Sequence, residues 1–135
     1  RSATTSPRSM RAADTNVLVR IFSREDEEQA VAANAFIAQG VWISHLVLAE
    51  TLWVLQRAYR FDSSEIATIV DILLNHETVA LQDADVVAAA LDQYRGKTKI
   101  GFTDCLVLEI ARKAGHLPLG TFDRDLSKLD GAERL

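Results

Sequence analysis

The stretch Val41–Tyr59, VWISHLVLAETLWVLQRAY, decides the fold. Val41 to Ser44, rich in β-branched and aromatic residues, reads as a short strand. His45 to Tyr59 follows at once as a strong helix, with no Gly or Pro to break it. A strand feeding straight into a helix is half of a β–α–β unit, and the sequence on either side repeats the pattern. Upstream, Arg11 to Thr15 predicts a strand before the helical NVLVRIF. Ser23, acting through Asp26, predicts the start of a helix in EEQAVAANAFIAQ, which Gly40 ends. Downstream, Asp62 and Glu65 have capping-box spacing before IATIVDILLNH, Val79 to Gln82 predicts a third strand, and Asp83 opens the helical ADVVAAALDQYR. The segment Gly96 to Gly101, GKTKIG, predicts a basic loop, Thr103 to Ala114 a helix closed by Gly115, and Leu117 to Phe122 a strand. A short helix from Asp123 or Arg124 to Leu129 and an edge strand at Glu133 to Leu135 complete the chain. The alternation predicts an α/β fold: one doubly wound domain over residues 10–135, with a central parallel sheet of four or five strands flanked by helices.

Composition narrows the function classes. The chain has 135 residues, 48% hydrophobic and 25% charged, enough for a real core without disulfides. The longest apolar stretch, Leu46 to Leu55, is interrupted by Glu50 and Thr51 and is too short to span a bilayer, so a membrane protein is excluded as an expectation. Cys105 is the single cysteine, which leaves no disulfide framework and no cysteine zinc site and fits a reducing, cytoplasmic setting. Residues 1–9, RSATTSPRS, lack acids and large apolar residues; they read as a cloning remnant or a disordered tail before Met10. The formal net charge of −4 becomes two units more negative without Arg1 and Arg8. Such a chain does not grip nucleic acid by bulk positive charge, although a site that holds metal cations can still meet a phosphate.

Four carboxylates occupy positions that disfavour them. Glu50 is the one charged residue between Ser44 and Gln56, on a helix apolar nearly all round, so burial is expected and the carboxylate must be paired, protonated or bound to a metal. A buried ion pair with an arginine explains it equally simply. Asp104 shares a helix face with Val107, Leu108 and Ala111, whereas Glu109, Arg112 and Lys113 form the polar face; its plain reading is a first-turn acid on the helix dipole. Asp14 follows the first strand and serves equally well as an N-cap. Asp123 follows the Leu117–Phe122 strand, and Asp125 is its substitute two residues on. Strand-end acids in a parallel sheet border the crevice where ligands bind. Several carboxylates in one crevice need hard cations such as Mg²⁺ or Mn²⁺, which take oxygen ligands and keep waters for chemistry.

Other residues have simpler readings. His45 reads as a capping or hydrogen-bonded histidine, Cys105 as a small buried thiol, and Trp42 and Trp53 as core or interface residues. The GKTKIG loop lacks the spacing of a Walker phosphate loop, and DTNVL lacks the DxD of aspartyl-phosphate phosphatases.

With these motifs in hand, the chain from Met10 onward resembles the PIN-domain family, and within it the VapC-type toxin ribonucleases of bacterial type II toxin–antitoxin pairs. The carriers are MRAADTNVLVR, SHLVLAETLWVL and FTDCLVLEIARKAGHLPLGTFDRDLSKL. The resemblance implies a parallel sheet sandwiched by helices, and it maps the family's four catalytic and metal-binding acids onto Asp14, Glu50, Asp104 and Asp123. It implies supporting polar groups at Asn16, Thr103 and Thr121. It further implies Mg²⁺- or Mn²⁺-dependent endonucleolytic cleavage of RNA, a cognate antitoxin protein that blocks the site, and a homodimer. Arg20, Arg24, Lys97, Lys99 and Arg124 are then the candidate RNA contacts. The alternative is a non-catalytic PIN-like module that uses its apolar helices to hold partners.

Overall fold

The computed structural model describes residues 10–96 and 99–135, so the tail expectation for residues 1–9 lies outside the described residues. The architecture is the expected α/β one. Residues up to Gln82 form one compact unit and Asp83–Leu135 a second.

The first unit runs β1 (Arg11–Ala12), α1 (Thr15–Ser23), α2 (Glu27–Ala38), β2 (Val41–Ile43), α3 (His45–Tyr59), α4 (Ser63–Asn75), β3 (Val79–Leu81). The three strands pair in parallel in the order β1-β2-β3. Arg11 faces Val41, Trp42 faces Ala80 and Ile43 faces Leu81. Each parallel step needs a crossover, and the helix pairs α1–α2 and α3–α4 supply them. The carboxyl ends of the three strands are thereby gathered at one edge of the sheet. Gln82, just past β3, donates its backbone N–H to the Ile43 carbonyl (2.9 Å), and its side-chain oxygen accepts from the His45 N–H (2.8 Å). Ser44 caps α3 by accepting from the Val47 N–H at 3.1 Å. The Asp62–Glu65 capping box forms reciprocally, at 2.8 and 3.0 Å. The start of α2 differs in detail from expectation: Ser23 ends α1, and Asp26 alone caps α2 by accepting from Gln29 N–H at 3.1 Å.

The larger departure lies in α3. Leu48, Thr51, Leu52 and Leu55 are buried at helical spacing, but Leu46 is 77% exposed and Trp53 59% exposed. The helix is therefore not buried all round. It has one core face and one apolar face turned outward, and Glu50 shares the outward one. Both faces are apolar in the sequence, so periodicity had no polar stripe with which to distinguish them.

The second unit runs α5 (Ala84–Gly96), α6 (Phe102–Ala114), β4 (Leu119–Thr121), a 3₁₀ turn (Leu126–Lys128) and β5 (Ala132–Arg134). Val87, Ala90, Leu91 and Tyr94 of α5 and Phe102, Cys105, Leu106 and Leu108 of α6 are buried. Tyr94 meets Phe102 edge to face, with ring centroids 5.8 Å apart. β4 and β5 pair in parallel, with Leu119 facing Ala132 and Thr121 facing Arg134. The edge strand expected at the end of the chain is thus β5, and the strands among the described residues number five, hydrogen-bonded as three and two. No helix among the described residues is long and apolar enough to cross a membrane.

The two faces of α3 make a direct test. Leu52→Ala removes a side chain 1% exposed and costs about 2–5 kcal/mol, whereas Leu46→Ala, on the outward face and 77% exposed, stays within about 0.5 kcal/mol. Urea midpoints at constant m-value measure both; equal effects would contradict the facing of the helix.

Candidate active site

In the first unit, Asp14 stands two residues past β1 in extended backbone and caps α1, its Oδ1 accepting from the Val17 N–H at 3.3 Å. Cap and candidate ligand are thus not rivals, since a carboxylate has two oxygens. The next residue, Thr15, donates its hydroxyl to Oε1 of Glu50, tying the start of α1 to α3. Sequence reasoning passed over Thr15 as a site residue. Its only signal was its place directly after an acid that ends a strand. Glu50 itself is exposed, contrary to the burial expected of it, because it lies on the outward face of α3. Glu50 is therefore held by the Thr15 hydroxyl and not by burial. Asn16 lines a groove between α1 and α2 together with Val17, Arg20 and Phe36. His45 Nε2 is buried without a hydrogen-bond partner among the described residues.

In the second unit, Asp104 lies in the first turn of α6 and is half-buried. The N-cap is Gly101, which supplies no side-chain oxygen to the helix amides. Asp104 is pushed above the ordinary carboxylate range, first by burial and then by the charge of Asp123. Asp123 is fixed from two sides. Its N–H donates to Thr121 Oγ at 3.0 Å, and its Oδ1 accepts from the Leu126 N–H at 2.8 Å, closing the 3₁₀ turn. Asp125 instead lies 3.9 Å from the Lys128 ammonium. Of the two candidates, Asp123 is the one whose charge reaches Asp104. Thr121 therefore supports the site through the backbone of Asp123, while Thr103 is exposed beside Asp104.

The facing of α6 also differs from expectation. Val107 is 43% exposed, and the buried stripe runs through Cys105, Leu106, Leu108 and Glu109. Glu109, expected on the polar face, is only 6% exposed. Its two oxygens accept from Arg112 Nε at 3.1 Å and Gln93 Nε2 at 3.2 Å, and Arg112 continues to the Asp130 carbonyl at 2.6 Å. A buried carboxylate so satisfied is stable in place. The chain of contacts fastens α6 to α5 and to the turn before β5. Gly131, in that turn at φ +96°, leaves room for the Arg112 guanidinium, which a Cβ would approach to 3.1 Å.

Of the candidate RNA contacts, Arg20 is held by Gln29 and stands 4.0 Å from Glu25, and Arg24 is ion-paired with Glu27. Lys99 and Arg124 are exposed, and Lys97 lies outside the described residues. Within neither unit, among the described residues, do three or more His, Cys, Asp or Glu side chains form a ready cage for a metal ion. The Asp104–Asp123 pair does suit a hydrated hard cation, because Mg²⁺ typically keeps several waters and takes one or two carboxylates. Donor chemistry agrees: the pair offers oxygen only, and the neighbouring thiol is unavailable. Burial pushes Cys105 up to about 11, aided by the charges of Asp104 and Glu109. At pH 8 iodoacetamide should alkylate Cys105 more than about 100-fold more slowly in the folded protein than in urea. Comparable rates would show that the thiol is neither buried nor held neutral.

The elements just described follow a known family pattern. The PIN domain family model matches residues 12–132, running through both compact units. A VapC ribonuclease of Aquifex aeolicus (strain VF5) is 26% identical over 125 residues, covering 89% of this chain and 92% of the relative. An α/β chain with parallel strands, an acid just past β1 and another just past β4, matched by the family model over nearly its whole length, belongs to the PIN-domain family.

Proposed function

We propose that this chain is a metal-dependent endoribonuclease and the toxin of a toxin–antitoxin pair, working in the cytoplasm. The observation that carries the reading is the Asp104–Asp123 pair: Asp104 is half-buried and pushed up first by burial and then by the charge of Asp123, which its own hydrogen bonds hold in place. Such a pair is electrostatically incomplete without a cation. The name of the Aquifex relative supplies the substrate class, RNA.

Asp14, Glu50, Asp104 and Asp123 are proposed as the catalytic acids, and the order of their motifs along a chain of this family carries that assignment. Bound Mg²⁺ or Mn²⁺ would supply charge neutralisation at the phosphate and a more acidic attacking water. The chain's own groups do the positioning. Asp104 and Asp123 would hold and orient the ion, with Thr121 and the 3₁₀ turn keeping Asp123 from swinging away. Thr15 holds one oxygen of Glu50 and leaves the other for water or metal. Hydrolysis then adds water to phosphorus and breaks one P–O bond, the departing oxygen leaving as an alcohol with a proton. Lys99 and Arg124, both exposed, are the cations free to meet RNA; Arg20 and Arg24 already face local partners.

The outward apolar face of α3, Leu46 and Trp53, favours the partner side of the reading, a second copy of the chain or a cognate antitoxin. The same face is what a purely partner-binding module would display, so cleavage decides between the two. Purified protein freed of any antitoxin should cut RNA with Mg²⁺ or Mn²⁺ and not with EDTA. Asp14→Asn, Asp104→Asn and Asp123→Asn should each lower the rate by more than about 100-fold, since loss of outer-shell groups alone costs about 10–100-fold at metal sites. Undiminished cleavage by the purified variants would remove the site assignment, and absence of any metal-dependent cleavage by the wild type would favour the binding module.

A further inference from the structure

Phe122 is 79% exposed, more than any other large apolar side chain among the described residues. It is not on a loose loop. On one side, Thr121 belongs to β4, and its carbonyl accepts from the Leu135 N–H at 2.9 Å. On the other, Asp123 is pinned by Thr121 Oγ at 3.0 Å and by the Leu126 N–H at 2.8 Å. The phenyl ring is thus presented to solvent from backbone fixed on both sides, so little conformational entropy is lost when something covers it. An exposed ring forfeits the gain of burial, and this one stands directly before Asp123 of the proposed site.

Its neighbours say what kind of ligand fits. Directly after Phe122 comes Asp123, whose charge reaches Asp104. Directly after that comes Arg124, exposed and without an ion pair among the described residues. An exposed aromatic ring two residues from an exposed arginine is a combination that suits single-stranded nucleic acid: a base stacks and its phosphate meets the cation.

We propose that Phe122 is a stacking platform for an unpaired nucleobase adjoining the scissile phosphate, with Arg124 taking the neighbouring phosphate. This deepens the nuclease reading and rests on it. A phenyl ring has no hydrogen-bonding group, so the platform accepts any base that is free of its own stack. It selects single-stranded or looped RNA over duplex without reading sequence.

The experiment is cleavage kinetics of the full chain on an unstructured RNA oligonucleotide, for wild type, Phe122→Ala and Phe122→Trp. Stacking on an aromatic side chain corresponds to about a 5- to 150-fold effect on affinity. Phe122→Ala should raise KM by that factor with kcat changed less than about threefold, and Phe122→Trp should restore it. Replacing the nucleotides one at a time by abasic ribose should locate one position whose loss costs the wild type the same factor and costs Phe122→Ala nothing more. An unchanged KM in Phe122→Ala, or abasic penalties equal in both proteins at every position, overturns the proposal. So does a Phe122→Ala protein with wild-type KM but altered mass in light scattering, which would make the ring a protein contact shared with the exposed Leu135. If the wild type cuts no RNA, the nuclease reading fails as a whole; if it cuts and Phe122→Ala cuts equally well, only the platform fails.

Discussion

Burial and the charge of Asp123 together push Asp104 up, and the function proposed for the second unit turns on that pair. Asp104 is carried by the first turn of α6, a helix fastened through Glu109 and Arg112 to α5 and the turn before β5. Asp123 is carried by the end of β4 and locked by its own hydrogen bonds. Asp104 is pushed up first by burial and then by the charge of Asp123, so its carboxyl keeps a proton to higher pH than in the unfolded chain. The folded state then binds that proton more tightly than the unfolded chain does. The stability it contributes is present at low pH and lost as pH rises through the raised value. On the proposed reading, a divalent cation would neutralise the pair at a place where a phosphate could join it.

The first unit prepares its acids differently. There the parallel order β1-β2-β3 collects strand ends, and the residues that follow are used twice. Asp14 caps α1 while standing at a strand end, and Thr15 begins the same helix while holding Glu50. Gln82 closes β3 against β2 and also satisfies the first amide of α3. Helix starts placed beside strand ends give these side chains definite directions at no extra cost in chain length.

Much of this was legible in the sequence, for identifiable reasons. The strand–helix step at Val41–Tyr59, the Asp62–Glu65 box and the helix closed by Gly115 are local patterns, and each is found where local chemistry placed it. Asp14 rested on its place after a strand and on the DTNVLVR match, whereas Asp123 rested mostly on the family resemblance, with Asp125 as its substitute. Rotation about helix axes was not legible. α3 is apolar on both sides, and only tertiary packing chose Leu48, Leu52 and Leu55 over Leu46 and Trp53. On α6, Glu109 looks like a surface residue until Gln93, sixteen positions earlier, and Arg112 satisfy its oxygens. Phe122 carries no sequence signal of exposure at all; the pinned backbone around it does.

The most direct measurement of the cation role is calorimetric titration of Mn²⁺ into the full chain at several pH values, in buffers of differing ionisation enthalpy. If Asp104 and Asp123 form the cation site, binding releases protons on the acid side of Asp104's raised pKa and tightens as pH rises. It weakens by at least about tenfold in Asp104→Asn. Mn²⁺ binding that is independent of pH, releases no proton and survives Asp104→Asn intact would contradict it.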